Sequence, residues 1–160
     1  MIDLILDDCM NVMKKYDDNH FDLAIGKKGE IFVRNSFIDY YDDITGNNDY
    51  KYDLKFYKNN RTLLIEVKKD FMMLKTGNLA IECYSRDNSS GIHTTESDYW
   101  IQLDKNNKIY IIDTNKLRTL CYQKKQIQTK NEDSHNKIYL ISLYEYKQHG
   151  IHMQEFITII

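Results

Sequence analysis

The sequence predicts an α/β (α+β) fold, a mixed central β-sheet flanked by helices, in a chain of 160 residues. Three observations lead there. Apolar residues recur at helical spacing in the first part of the chain, at Leu4, Ile5, Cys9, Val12 and Met13 and again at Ile31, Phe32, Phe37 and Ile38. From Tyr50 onward, short runs rich in Tyr, Ile, Leu and Val take over, separated by Asn-containing turns. No repeat, low-complexity tract or linker interrupts the chain, and its length fits one domain with a full core.

The elements follow in order. A helix is expected over Ile2–Tyr16, capped by Asp3, favoured by Asp7 and Asp8 in its early turns, and broken by Asp17, Asp18 and Asn19. A second helix opens near Gly26–Gly29 and runs to about Tyr41. The stretch Asp42 to Asn48 reads as a turn. Tyr50–Tyr57 and Thr62–Lys68 read as strands joined by a tight turn at Lys58, Asn59 and Asn60, and Asn78–Ser85 as a third strand. A polar loop spans Ser89 to Thr95. Tyr99–Leu103 and Lys108–Asp113 form a second hairpin across Lys105, Asn106 and Asn107. Thr114 is expected to cap a basic helix over Asn115–Tyr122. Lys137–Leu143 is a further strand, and Glu155–Ile160 is an apolar end suited to pairing or packing.

Composition narrows the function classes. Hydrophobic residues make up 42% and charged residues 29%, a soluble profile. No apolar run approaches the ~20 residues that span a bilayer, and Met1 is followed by Asp3, Asp7 and Asp8 rather than a basic flank. A soluble, cytoplasmic protein without a membrane partner is expected. Cys9, Cys83 and Cys121 form no C-x-x-C pair, which points to reduced packing thiols inside a cell. The abundance of Lys, Asn, Ile and Tyr suggests an AT-rich coding sequence, as in a virus, a phage or a low-GC microbe. Net charge is −2, but residues 1–50 carry −6 and residues 51–160 carry +4. A polyanion-binding face would come from the later part.

The segment Thr62-Leu-Leu-Ile-Glu-Val-Lys68 carries the chemistry. Side chains alternate along a strand, so Leu63, Ile65 and Val67 point one way and Leu64, Glu66 and Lys68 the other. Antiparallel pairing about the 58–60 turn brings Asp53 level with Glu66. Two carboxylates and an ammonium then converge. Two hard oxygen ligands with waters suit Mg²⁺, and such a metal neutralises a phosphate and acidifies a bound water.

Asp53, followed by Glu66-Val67-Lys68 in the second strand of a hairpin, resembles the PD-(D/E)XK nuclease superfamily. The resemblance implies a restriction-endonuclease-like core. In it Asp53 and Glu66 would ligate Mg²⁺ or Mn²⁺, the Val67 carbonyl would add a ligand, and Lys68 would assist the attacking water. Gly29-Glu30, at the start of the second helix, resembles the archaeal Holliday junction resolvase branch and implies that Glu30 is a further ligand or orients a metal-bound water. Gly77 to Glu82, Ser90-Gly91-Ile92, Thr94-Thr95 and Asp98-Tyr99-Trp100 resemble phage and viral members. Tyr52 stands where the superfamily often has Pro. The likeness covers about Gly26 to Leu103, half the chain. It implies one domain over residues 1–160, with a core of about 26–113 and an elaboration over 114–160. The implied activity is Mg²⁺-dependent DNA endonuclease cleavage, structure-specific as in recombination or repair, with a homodimer as the form that cuts two strands.

Each residue has a plainer reading as well. The E-x-K triplet alone would be an exposed ion pair worth ~0–1 kcal/mol. Glu30 would be a carboxylate favouring a helix N-terminus. Glu82 either touches the metal site or is a surface charge. Ser90, Gly91, Thr94, Thr95 and Lys69 either contact substrate phosphates or form a polar turn and its edge. Tyr99 and Trp100 either stack on bases or fill the core. Lys116, Arg118, Lys124, Lys125 and Lys130 either meet phosphates or face solvent. Of the histidines, His93 alone lies beside the substrate loop. At the level of the whole chain the alternatives are an exonuclease or RNA-directed nuclease, a silent nucleic-acid-binding or assembly module, and a structural domain with a chance ion cluster.

Overall fold

The computed structural model describes residues 18–47, 50–129 and 135–160. The helix expected over Ile2–Tyr16 lies outside the described residues. Helix α1 covers Asp18–Phe37. It starts before Gly26, so Asp18 and Asn19, read above as breakers, lie in its first turn, where such residues are favoured. A 3-10 turn at Ile38–Tyr40 ends it.

Three antiparallel strands follow: β1 (Asp43–Gly46), β2 (Leu54–Lys58) and β3 (Arg61–Lys69). β1 replaces the turn expected at Asp42–Asn48. It is a short edge strand with only Ile44 buried, so it carries no alternating pattern for the sequence to reveal. β2 begins later than Tyr50, because Tyr50 and Lys51 form a turn. The β2–β3 hairpin turns on Asn59 and Asn60, with φ of 51° and 62°. That two-residue left-handed turn matches strand twist, and Asn tolerates it.

The chain then leaves the sheet through α2 (Met73–Thr76) and returns at β6 (Tyr99–Leu103) and β7 (Ile109–Asp113). β6 pairs with β3 in parallel, and the central sheet has the order β1-β2-β3-β6-β7. It is mixed and flanked by helices, as the sequence predicted. β4 (Asn78–Ser85) does not join it. β4 pairs with β5 (Asn88–Ser89) and with β9 (Lys137–Ser142), which pairs in turn with β8 (Ile127–Gln128). The last third of the chain thus supplies strands to this second sheet. α3 (Thr114–Tyr122), α4 (Leu143–His149) and α5 (Met153–Phe156) complete the order. Asp113, not Thr114, caps α3, its side chain accepting the Lys116 amide.

Two cores result. Val33, Phe37, Phe56, Ile65, Val67, Ile101 and Phe156 fill the side covered by α1. Leu79, Ile81, Trp100, Ile112, Tyr139 and Tyr146 fill the space between the central sheet and the second sheet with α3 and α4. The apolar end predicted at Glu155–Ile160 packs through Phe156, which is fully buried.

Candidate active site

The hairpin register is the one read from sequence. Leu54 stands opposite Ile65 and Lys58 opposite Arg61. Asp53 extends that ladder, its amide donating to the Ile65 carbonyl at 2.9 Å. Its Oδ2 accepts the Val67 amide at 2.7 Å. Val67, expected to contribute a carbonyl, thus meets Asp53 through its N–H. Among the described residues Asp53 Oδ1 has no hydrogen-bond partner and is free for a ligand.

Glu66 is 6% exposed although charged. Its Oε1 lies 2.6 Å from Lys68 Nζ, and its Oε2 accepts from Thr95 Oγ1 at 3.1 Å. Burial pushes the Glu66 carboxyl above the usual range, Lys68 pulls it down, and Asp53 pushes it up again. Burial lowers the Lys68 ammonium, but Glu66, Asp53 and Glu82 outweigh that and hold it above the ordinary lysine value. The three charges therefore form one electrostatic unit.

A cleft of about 750 Å³ adjoins this unit at Lys68, lined also by Lys69, Asp70, Phe71, Glu82, Trp100 and Gln102 among others, while Asp53 and Glu66 stand behind Lys68 and do not line it. Glu82 joins the group from β4 and accepts the Ser90 hydroxyl at 2.8 Å. Glu30 does not join it. Helix α1 packs on the Val67 face, where a Cβ at Gly29 would lie 3.5 Å from Leu103 and 3.8 Å from Val67. The Glu30 carboxylate is 2.7 Å from Lys27 Nζ, one turn back. Among the described residues no group of three or more His, Cys, Asp or Glu side chains is placed to hold a metal. A pair of carboxylates is still within the practice of Mg²⁺, which keeps several waters and takes one or two carboxylates.

The Ser90–Thr95 loop turns inward. Gly91 has φ of 52°, and a Cβ there would lie 2.3 Å from the Glu82 carbonyl oxygen, so the position demands glycine. Thr94 folds back on the Gly91 carbonyl. Thr95 is 3% exposed and serves Glu66, which leaves it no access to a phosphate. Its hydroxyl also lies 3.0 Å from the Lys51 carbonyl and 3.0 Å from Ser97 Oγ, and Ser97 Oγ is 3.0 Å from Thr114 Oγ1. This buried hydroxyl chain ties Glu66 to the turn that leads into Asp53. Nothing in the local sequence announced it, because its members come from separate segments.

Other candidates are spent on the fold. Arg118 donates to the Ile92 and Thr95 carbonyls and to Asn115, so it braces the loop rather than facing solvent. Lys124 pairs with Glu145 at 2.6 Å. Lys116 and Lys125 are exposed, and Lys130 lies outside the described residues. Trp100 is buried in the second core, its Nε1 donating to Gln102 at 3.2 Å. Tyr99 packs edge-on to Phe156. His93 sits among Tyr84, Tyr122 and Tyr139, and burial and then Arg118 push its pKa down. Lys69 stays at the cleft rim, bound to Asn107 Oδ1 at 2.6 Å. No described helix is long and apolar enough to cross a membrane.

No family model matches the sequence, and no curated protein matches it either. Among solved structures, that of a bacterial homing endonuclease, I-Ssp6803I, is similar, with a TM-score of 0.49 and 16% identity over 59% of this chain and 70% of that one.

Proposed function

We propose that this chain is a metal-dependent nuclease that hydrolyses DNA phosphodiester bonds beside Lys68, at the edge of the cleft that Lys68 lines. The observation that carries the reading is the unit of Asp53, buried Glu66 and half-exposed Lys68, assembled across a hairpin and meeting a cleft at Lys68. A buried carboxylate is costly to keep charged, and perturbed groups beside a cleft are the mark of a working site. Asp53 Oδ1 and the Glu66 carboxylate offer the oxygens for Mg²⁺ or Mn²⁺. A bound divalent cation supplies charge neutralisation at the phosphate and a more acidic water.

The protein's own groups do the rest. Thr95 holds one Glu66 oxygen fixed. Lys68 holds the other at 2.6 Å, and its ammonium would orient the attacking water or face the phosphate. Endonuclease action on branched DNA is the form the sequence resemblance favours. The test is cleavage of labelled single-stranded, duplex, flapped and four-way-junction DNA, and of RNA, with Mg²⁺ or Mn²⁺, beside Glu66→Ala and Lys68→Ala. Metal-dependent cutting lost in both variants supports the reading and ranks the substrates. Equal inertness of all three proteins on every substrate overturns it in favour of a silent binding module.

A further inference from the structure

A second recess opens at the far end of the central sheet. It holds about 280 Å³ and is walled by Lys108 just ahead of β7, Tyr110 of β7, Lys147 of α4, and Gly150 and His152 ahead of α5. Lys108 Nζ and Lys147 Nζ lie 5.6 and 5.5 Å from the centroid of the Tyr110 ring. Two lysines from distant segments are thus gathered onto one aromatic ring. Neither has a carboxylate partner among the described residues, and no acidic side chain lines the recess. Asp104, which accepts from the Tyr110 hydroxyl at 3.2 Å, is 2% exposed and also holds the amides of Asn106 and Lys108. Two ammoniums on one ring with no carboxylate between them leave positive charge for an anion to neutralise.

The recess is aligned with the cleft. Lys68, Gln102 and Tyr110 stand side by side across β3, β6 and β7. Two strand spacings separate Tyr110 from Lys68, or about 10 Å. Lys69 at the cleft rim is bonded to Asn107, which precedes Lys108 in the chain. We propose that Lys108 and Lys147 form a second phosphodiester site, which grips the backbone of the strand lying in the cleft. The proposal rests on the nucleic-acid reading of the cleft.

The experiment is metal-free fluorescence anisotropy on a length series of end-labelled oligodeoxynucleotides. It compares the wild type with Lys108→Ala/Lys147→Ala, with the charge-keeping Lys108→Arg/Lys147→Arg, and with Lys55→Ala, an exposed lysine on β2. The double alanine variant should bind long oligonucleotides about tenfold more weakly and lower the salt slope by about 0.7 for each phosphate that it no longer neutralises. The shortest oligonucleotides should bind both proteins alike, and the arginine variant should restore affinity. Equal weakening by Lys55→Ala overturns the site, since net charge alone would then explain the loss. Full displacement by inorganic phosphate at matched ionic strength overturns it too, in favour of a free anion. A wild type that cleaves, with a double alanine variant of equal affinity, refutes the recess and leaves the nuclease reading standing. Lysine-dependent binding without cleavage under any metal does the reverse.

Discussion

On one face of β3, Leu63, Ile65 and Val67 meet α1, β6 and a cluster of aromatic rings. On the other, one residue out of step, Glu66 and Lys68 meet each other, Asp53, Glu82 and a chain of hydroxyls. The first face and Glu66 are shielded from water while Lys68 stays half-exposed, and the two faces are held by different physics. The first gains from the removal of apolar area from solvent and is indifferent to which hydrocarbon supplies it. The second spends desolvation energy on a carboxylate and recovers it only through partners at set distances. Stability should therefore reside in the first face and chemistry in the second, and substitutions can separate the two.

The largest effect belongs to the apolar side. Phe37 is fully buried against Phe56 and Phe156, with ring centroids 5.5 Å away in each case. Phe37→Ala should cost about 3–5 kcal/mol in urea unfolding. Any cleavage activity should persist at low temperature, in proportion to the folded fraction. Loss of turnover in a still-folded Phe37→Ala protein would erase the division between the faces.

Next comes Glu66→Gln. It keeps the shape, the Thr95 contact and the fold, and Lys68 is exposed enough to be hydrated in place of its former partner. Cleavage should fall at least about a hundredfold, a barrier rise of roughly 2.7 kcal/mol, while the melting temperature stays near that of the wild type. A large thermal loss with intact turnover would mean that the Glu66–Lys68 pair is only structural.

Thr95 sharpens the comparison, since it is buried like the first face and polar like the second. Thr95→Val is nearly isosteric but cannot donate to Glu66. Mn²⁺ affinity, read by calorimetry, should weaken about tenfold, as for loss of a group orienting a ligand. Thr95→Ser should restore it. Equal metal affinity in all three proteins would confine Thr95 to holding the Lys51 turn.

The smallest effect is an absence of reaction. Cys83 and Cys121 are buried in the second core, and burial pushes the Cys121 thiol up to about 12 and the Cys83 thiol upward as well. Neither offers a thiolate near neutral pH. Peptide mapping after alkylation should find both unmodified in the native protein and both modified in denaturant. Native labelling of either would show that the second sheet opens readily.

The parts of the molecule legible in the sequence are those fixed by neighbours in the chain. The β2–β3 hairpin is readable because its turn residues and its alternation agree, and one turn sets the whole register. Asn78–Ser85 is readable as a strand, but its partner is not. Apart from a two-residue pairing with β5, β4 takes the distant β9 as its partner, and only tertiary packing makes that choice. β1 stays hidden because an edge strand with a single inward residue has no pattern. The Asp53–Glu66–Lys68 unit follows from register alone. The Thr95–Ser97–Thr114 chain and the bracing role of Arg118 do not, since each joins residues that share no element. Glu30 shows the converse, because a position matched by motif order is set on the helix that packs against the other face.

The parallel pairing of β3 with β6 also decides when the site exists. A hairpin closes within a few residues, whereas a parallel strand must wait for a crossover, here the whole stretch from Asp70 to Asp98. Asp53 and Glu66 can meet early, but Thr95 and the cleft wall arrive only with β6 and the second sheet, whose strand β9 comes later still in the chain. A growing chain therefore carries its two carboxylates long before it carries the clamp that orients them. Competence at this site is a property of the finished fold, and a truncated product ending before β9 would be left with the charges and without the cleft.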